Sequence, residues 1–201
     1  LGLLSCEIPK PFDASRSGTV FGEGGGAIVL EKQSDAVERG AEVIGEFLGF
    51  GSTCEATGTV ELNPTGEGLK RAIEEALENA GLVPSDVGMI CAHGNGTKAS
   101  DLTEGLAIES VFGENIPPVT AFKWAYGHLI GAAGIVDLIM TLESLKRGIV
   151  PGVSSFSEVD PQLAGLPVGR THTELEGDVA LVICRAFGGL NVVLAVRGAG
   201  R

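Results

Sequence analysis

The most constraining stretch of the sequence is residues 126–134, Tyr-Gly-His-Leu-Ile-Gly-Ala-Ala-Gly, in which small residues surround one histidine where an apolar helix begins. Small side chains let another backbone or a ligand come close. The start of a helix has unpaired N–H groups and a positive dipole end, which favours a neutral imidazole at His128. The segment alone fits two interpretations, a tight helix-packing joint or part of a functional site.

A second histidine has a similar setting. Residues 87–92 form an apolar run typical of a short buried strand, and His93-Gly-Asn-Gly-Thr97 follows it. In open α/β sheets, ligands bind at the carboxyl ends of strands. A histidine there can also be a hydrogen-bonded turn residue, but two histidines in matching positions favour a functional site. The third, His172, lies in a polar stretch and is predicted to be exposed.

Hydrophobic periodicity predicts an alternation of helices and strands. The helices are predicted at residues 34–39, 67–80, 101–112 and from 128 to about 148. The strands are predicted at 27–30, 43–50, 89–92 and 119–122, with a hairpin of 179–183 and 192–196 around residues 187–189. Residues 149–175 are predicted to be mostly loop.

The strand predicted at residues 27–30 raises a question of partnership. Its residues are all apolar, which suits a strand buried on both faces. No neighbouring segment offers a strand to pair with it, and an unpaired apolar edge promotes aggregation. The sequence therefore predicts that another polypeptide covers this segment.

The four cysteines do not predict a metal site or a disulfide scaffold. Cys6, Cys54, Cys91 and Cys184 have neither metal-ligand nor CxxC spacing. Cys91 and Cys184 lie in apolar strand-like runs, where cysteine packs as a small hydrophobic residue. Nothing near Cys6 or Cys54 favours a thiolate. All four are interpreted as structural.

Five segments in order resemble the C-terminal half of β-ketoacyl-acyl carrier protein synthases, the condensing enzymes of fatty-acid and polyketide assembly. They are residues 11–16, 22–26, 93–97, Lys123 with 127–134, and 187–191. The resemblance covers essentially the whole chain and implies an α/β fold of the layered, thiolase-like α-β-α-β-α type. Residues 43–201 would form the C-terminal half, a mixed sheet flanked by helices. Residues 1–42 would be the tail of the N-terminal half, with a loop, its last strand at the sheet edge and a short helix.

The resemblance implies a decarboxylative Claisen condensation between malonyl-acyl carrier protein and an acyl-enzyme thioester. The family places its nucleophilic cysteine in the N-terminal half, which has no counterpart here. The chain also starts at Leu1 rather than methionine. We therefore expect a piece of something larger, with the cysteine supplied by a missing half or by a partner chain. A degradative thiolase is a weaker possibility, because it needs a second cysteine that no residue here matches.

By resemblance, the catalytic residues are His93, His128 and Lys123. The two imidazoles would donate hydrogen bonds to the developing enolate oxygen, although the sequence does not show which tautomer donates. Lys123 would act electrostatically by ordering a nearby carboxylate. Asp137 stands where the family usually has glutamate, and its shorter side chain leaves a direct pair with Lys123 open.

The resemblance assigns further residues to substrate binding and to support of the site. Thr97 would hydrogen-bond the 4'-phosphopantetheine arm of the carrier, and Asn95, which replaces a threonine, could still donate. Asp101 and Glu104 lie in the first turn of a helix, where carboxylates are favoured. In the family, the matching pair helps hold the site together.

The largest departure from the family is at residues 184–189, Cys-Arg-Ala-Phe-Gly-Gly. Most members have Asn-Ser-Phe-Gly-Phe-Gly-Gly there, and the first phenylalanine helps gate the acyl pocket. Arg185 takes that position, and Phe187 is retained. Arginine beside an acyl pocket must be paired or solvated. This pattern resembles the chain-length-factor subunits, which lack the nucleophile and pair with an active ketosynthase. Those subunits usually lose the histidine as well, whereas this chain has both histidines.

The charge of the chain limits its partners. A net charge of −12 argues against nucleic acid or an anionic membrane. Acyl carrier proteins of this kind are acidic too, so docking one requires a local patch of Lys and Arg. The expected partners are that carrier and the missing half or a ketosynthase chain, in a dimer or heterodimer. No cofactor is expected beyond the pantetheine arm. With no signal peptide and no long apolar span, a cytoplasmic protein is expected.

Overall fold

A five-stranded mixed sheet organises residues 3–199, the part of the chain that this computed structural model describes. Its strand order is β1-β7-β6-β2-β3. The strands are β1 (Gly45–Cys54), β2 (Met89–Cys91), β3 (Val119–Thr120), β6 (Val179–Ala186) and β7 (Leu190–Gly198). β7 lies antiparallel to both β1 and β6, whereas β2 is parallel to β6 and to β3. A second, two-stranded sheet pairs β4 (Ile149–Val150) with β5 (Thr173–Glu174).

Helices cover both faces of the larger sheet. They are α1 (Gln33–Glu38), α2 (Glu67–Ala80), α3 (Lys98–Phe112), α4 (Lys123–Tyr126) and α5 (Ala133–Arg147). Alternate residues of β6 point to opposite faces. Leu181 and Ile183 join the core that contains α2 and α3, and Ala180 and Val182 join the core that contains α5. A sheet buried on both faces explains why β6 is apolar almost throughout.

Most predicted elements are found, with shifted ends. The helix predicted at 67–80 has those bounds, and the hairpin of β6 and β7 is confirmed. Gly81 ends α2 in the left-handed conformation (φ 66°), as helix C-termini often do. α3 begins at Lys98, three residues earlier than predicted. The long helix begins later, since residues 128 and 129 lie outside it and a 3-10 turn at Ile130–Ala132 leads into α5.

The predicted strand at residues 27–30 is wrong. This segment is extended but belongs to no strand, and Val29 and Leu30 are 83% and 74% exposed. Among residues 3–199 no neighbouring backbone pairs with it, and an extended segment becomes a strand only through hydrogen bonds to a partner. The expected last strand of an N-terminal half is therefore absent from the described chain. Only Ile28 packs inward, against the core that contains α5.

Two further features bear on function. No helix within residues 3–199 combines the length and apolar character that crossing a membrane requires. The same residues contain no group of three or more His, Cys, Asp or Glu side chains that could hold a metal ion.

Candidate active site

Three parallel strands end at one edge of the sheet and bring distant residues together there. β2 leads directly to His93, β3 leads to Lys123 at the start of α4, and Arg185 lies near the end of β6. His128 follows α4 in the loop before α5. The imidazole centroids of His93 and His128 are 5.2 Å apart, with their ring planes at 81°. The structure therefore places the two predicted catalytic histidines edge to face at the carboxyl end of the sheet.

The segment before α1 holds the backbone of His128 on both sides. The N–H of His128 donates to the carbonyl of Val20 at 2.7 Å, and the N–H of Gly22 donates to the carbonyl of His128 at 3.1 Å. A Cβ at Gly22 would lie 1.9 Å from the carbonyl oxygen of Tyr126, so only glycine fits. The glycine-rich motif at residues 22–26 thus begins with a residue that the site needs for close approach.

Both imidazoles are kept neutral. Burial lowers the pKa of His93 well below its usual value, with a further contribution from the charge of Lys123. Burial and Lys123 also lower the pKa of His128, to about 4. The predicted neutral imidazole at His128 agrees with this, but the main cause is desolvation rather than the helix dipole.

Backbone N–H groups meet the ring nitrogens of both histidines. The N–H of Ile130 donates to Nδ1 of His128 at 3.2 Å, which leaves the proton on Nε2. His93 faces two donors, the N–H of Arg185 at Nδ1 and the amide nitrogen of Asn95 at Nε2, each at 3.4 Å. An imidazolium would present N–H groups to both, so this surrounding favours neutral His93. With Nδ1 accepting from Arg185, the one ring N–H stands on Nε2, and the contact with Asn95 is then not a hydrogen bond.

Lys123 pairs directly with Asp137, which the sequence left open. The Nζ of Lys123 donates to Oδ2 of Asp137 at 2.8 Å, and both residues are fully buried. The other carboxylate oxygen, Oδ1, accepts a short hydrogen bond from the hydroxyl of Tyr126. The pair joins α4 to α5 beside the histidines, and its lysine charge is the one that lowers both histidine pKa values.

The carboxylates of α3 hold the loop that follows β2. The two oxygens of Glu104 accept the N–H groups of His93 and Gly94 at 2.6 and 2.9 Å. Asp101 accepts the N–H groups of Phe12 and Gly96 at 2.8 and 3.1 Å. Burial raises the pKa of Asp101 to about 7 and also raises that of Glu104. Glu104 therefore supports the backbone of His93, and Asp101 supports that of Gly96 in the same loop.

Asn95 and Thr97 are linked to each other within that loop. The N–H and the hydroxyl of Thr97 donate to Oδ1 of Asn95 at 2.9 and 2.8 Å. This turns the amide nitrogen of Asn95 towards His93. Thr97 is 5% exposed, so its contact with a pantetheine arm stays a prediction.

Arg185 is buried, and its guanidinium is hydrogen-bonded on every nitrogen. Together with its partners Glu55, Ser100, Thr103 and Asn191 it forms what we call the Arg185 cluster. Its Nε donates to Asn191 at 3.0 Å, and Nη1 donates to the carbonyl of Ser100 and the hydroxyl of Thr103, both at 2.9 Å. Nη2 pairs with Oε1 of Glu55 at 3.2 Å. Sequence reasoning missed Glu55, because it follows β1 with no motif around it. Asn191 is the last residue of the family-like segment 187–191, and this position was the sequence signal that could have identified it as a site residue.

A cavity of about 210 Å³ lies between the histidines and the ends of β6 and β7. Its lining includes His93, His128, Gly134, Cys184 and Arg185. Phe187 does not line it; this side chain lies at the tip of the hairpin and is 67% exposed. Of the predicted site residues, His93, His128 and Arg185 line this cavity, and Phe187 lies outside it.

The cysteines near the cavity are not thiolates. Burial raises the pKa of Cys184 to about 11 and raises that of Cys91 well above its usual value. Cys6 and Cys54 are exposed, and all four cysteines are free. The third histidine, His172, is exposed, as predicted, and accepts the N–H of Gly152 at 3.0 Å. Within residues 3–199, the site offers hydrogen-bond donors to an oxyanion but no activated nucleophile beside them.

Comparison with known proteins identifies the family. Residues 44–157 match the family model described as the β-ketoacyl synthase C-terminal domain. The chain is also 38% identical over 191 residues to 3-oxoacyl-[acyl-carrier-protein] synthase 2 of Synechocystis sp., which covers 94% of this chain and 46% of the relative. The chain belongs to the β-ketoacyl synthase family.

Solved β-ketoacyl synthase structures share the fold along nearly the whole chain. The ishigamide ketosynthase/chain length factor superposes with a TM-score of 0.94 at 36% identity, covering 99% of this chain and 49% of that one. A type II polyketide synthase acyl-carrier protein in complex with its ketosynthase gives 0.93 at 28% identity, covering 99% and 51%. The α/β fold and the assignment to a C-terminal half are confirmed. The chain spans about half the length of the curated relatives it matches.

Proposed function

We propose that this chain is the histidine-bearing half of a condensing enzyme that joins malonyl-acyl carrier protein to an acyl-enzyme thioester. The observation that carries the proposal is the pair of neutral imidazoles, 5.2 Å apart, at the mouth of one cavity. Fixed N–H donors in a buried site stabilise a developing oxyanion without the cost of reorienting water. In this proposal, the chain supplies hydrogen-bond donors to the oxyanion, and it does not supply or activate the cysteine nucleophile.

In the proposed reaction, the bond between the malonyl carboxylate and the α-carbon breaks, and carbon dioxide leaves. The electron pair of that bond delocalises onto the thioester oxygen as an enolate. His93 and His128 donate to this oxygen as neutral imidazoles, a state that comes mainly from burial and secondarily from the charge of Lys123. The enolate carbon then forms a bond to the carbonyl carbon of the acyl thioester, and the cysteine thiolate departs.

The proposed partners follow from what the described residues lack. A cysteine nucleophile would come from the N-terminal half or from a partner ketosynthase chain, in a dimer or heterodimer. An acyl carrier protein would deliver malonate on its 4'-phosphopantetheine arm, with no other cofactor. Four free cysteines support a reducing compartment, so the cytoplasm is the proposed location.

A second candidate function is favoured by the Arg185 cluster. A non-catalytic subunit of a ketosynthase heterodimer would shape the acyl pocket without doing chemistry, like the chain-length factors that this chain partly resembles. The buried arginine beside the cavity, paired with Glu55, is the observation in its favour. In that case, the two histidines would be structural.

The experiment that separates these functions is malonyl-carrier decarboxylation by the assembly of this chain with the half that its relatives carry. His93→Ala and His128→Ala should each lower the rate about 100-fold or more, the usual cost of losing one oxyanion donor. His172→Ala is the matched control, because that histidine is exposed and remote, and it should keep the wild-type rate. Wild-type rates in both site variants would contradict the catalytic assignment and favour the non-catalytic subunit.

A further inference from the structure

Two side chains of the short helix α4 donate hydrogen bonds to the two carboxylate oxygens of the buried Asp137. Lys123 and Tyr126 are three residues apart on α4, so their side chains share a face. The ammonium of Lys123 donates to Oδ2 of Asp137 at 2.8 Å, and the hydroxyl of Tyr126 donates to Oδ1 of the same residue. Asp137 belongs to α5, so these two bonds tie α4 to α5.

The phenol acts as a donor in this arrangement. Burial and the neighbouring Asp137 charge raise the pKa of Tyr126, so its hydroxyl keeps its proton at every physiological pH. Lys123 is fully buried, and a buried ammonium is tolerated only when a counter-charge is held in good geometry. A hydrogen bond to an ionised carboxylate is among the stronger ones in proteins. Tyr126 therefore helps fix the counter-charge of Lys123.

The three side chains lie directly behind the histidine cavity. Asp137 is one helical turn after Ala133 and Gly134, which line the cavity. Only Gly127 separates Tyr126 from His128 in the chain. A shift of α4 against α5 would therefore move both the lysine charge and the backbone that leads into His128.

We propose that Tyr126 is a positioning residue of the condensing site, whose hydroxyl orients Asp137 and thereby holds the Lys123 ammonium against the cavity of His93 and His128. This rests on the proposed function, because it assigns Tyr126 to the same oxyanion site. The residue acts through Asp137 and Lys123 and not on the substrate. Its loss should therefore affect the chemical step and leave substrate binding intact.

The kinetic test is Tyr126→Phe, which removes the hydroxyl and keeps the ring. In the complete assembly, kcat for malonyl-carrier decarboxylation should fall about tenfold with KM unchanged, since losing a hydrogen bond to a charged group costs on that order. Ser144→Ala is the matched control, because it removes a buried hydroxyl from α5 that donates to the carbonyl of Met140 at 2.8 Å and does not contact Asp137 in the hydrogen bonds described. Equal kcat values for Tyr126→Phe and Ser144→Ala would overturn the proposal.

A spectroscopic test does not depend on activity. Tyr126 is the single tyrosine of the chain, so 3-fluorotyrosine incorporated into this chain labels one site. Its ¹⁹F signal should shift in Asp137→Asn and stay in place in Ser144→Ala. A signal unaffected by Asp137→Asn would overturn the contact on which the proposal stands. If His93→Ala and His128→Ala keep wild-type decarboxylation, the proposed function fails, whereas the fluorine signal still decides whether Tyr126 contacts Asp137.

Discussion

At the scale of the residue, the site depends on buried charges that are paired across the chain. Arg185 and Glu55 have side chains only 3% and 0% exposed, yet they are 130 residues apart in sequence. Breaking such a pair is costly, because the remaining charge is left in a medium that solvates it poorly. Removing both charges leaves no unpaired ion. The Arg185 cluster therefore predicts strong coupling between its two charged members.

Glu55→Gln should lower the free energy of unfolding by about 3–5 kcal/mol, the range for breaking a buried pair. Arg185→Phe, which restores the family's phenylalanine, should cost a similar amount, while the double variant should cost less than the sum of the two. Urea denaturation of the assembly measures all three. As a control, Glu46→Gln breaks a half-exposed contact with Arg197 and should cost at most about 1 kcal/mol. Additive losses would contradict the coupling.

At the scale of the element, close contact between α2 and β1 builds one side of the core. Two glycines of β1 lie under the helix: a Cβ at Gly51 would be 2.0 Å from the carbonyl oxygen of Ala72, and one at Gly49 would be 2.7 Å from the nitrogen of Ala80. Helix α2 presents Leu69 and Ile73 to the same core as β6 and β7. The amphipathic pattern of α2 is local, which is why its bounds were predicted well. Its distance from the sheet is a tertiary property set by these glycines.

Gly51→Ala should therefore force α2 away from the sheet and lower the free energy of unfolding by about 1–3 kcal/mol, as overpacking does. The matched control is Gly169→Ala, since a Cβ at Gly169 would meet no atom within 4 Å and its φ is not left-handed. Thermal or chemical denaturation of both variants measures the difference. Equal stability would show that α2 adjusts without cost.

At the scale of the whole molecule, the chain exposes large apolar side chains in the extended segment before α1 and just before β1. Val29 and Leu30 are 83% and 74% exposed in an extended segment, and Ile44 is 52% exposed just before β1. Large exposed apolar side chains mark an interaction site or an aggregation hazard where they form a patch. The chain spans about half the length of its curated relatives.

Expressed alone, the chain should therefore aggregate or remain molten, and Val29→Ser with Leu30→Ser should reduce its self-association. The same double variant should bind the N-terminal half more weakly, because it removes apolar area from the interface. Val83→Ser is the control, because Val83 is also exposed (55%) but lies beside the 3-10 turn at Pro84–Asp86. Light scattering after gel filtration measures both effects. A monodisperse wild-type chain that melts cooperatively would contradict this expectation.

Local patterns in the sequence were sufficient to predict several elements and the two histidines. α2 follows from apolar residues at helical spacing, the β6–β7 hairpin from apolar runs around glycines, and the two histidines from their places after a strand and before a helix. The error at residues 27–30 has the same origin, because apolar composition predicts a strand only where a partner strand exists. The family-like motifs located the site residues in the sequence, but they did not show which of these side chains contact each other.

The pairing of the buried charges could not be predicted from local patterns, because the paired residues lie on elements that meet only in the folded chain. Asp137 meets Lys123 and Tyr126 where α5 packs against α4, and Glu55 reaches Arg185 because the end of β1 and the end of β6 come together through β7. The neutral state of His128 was predicted from a helix dipole, but in both histidines it comes mainly from burial, which no short segment encodes. Pairing and desolvation are properties of packed elements, since both depend on what the fold excludes from water.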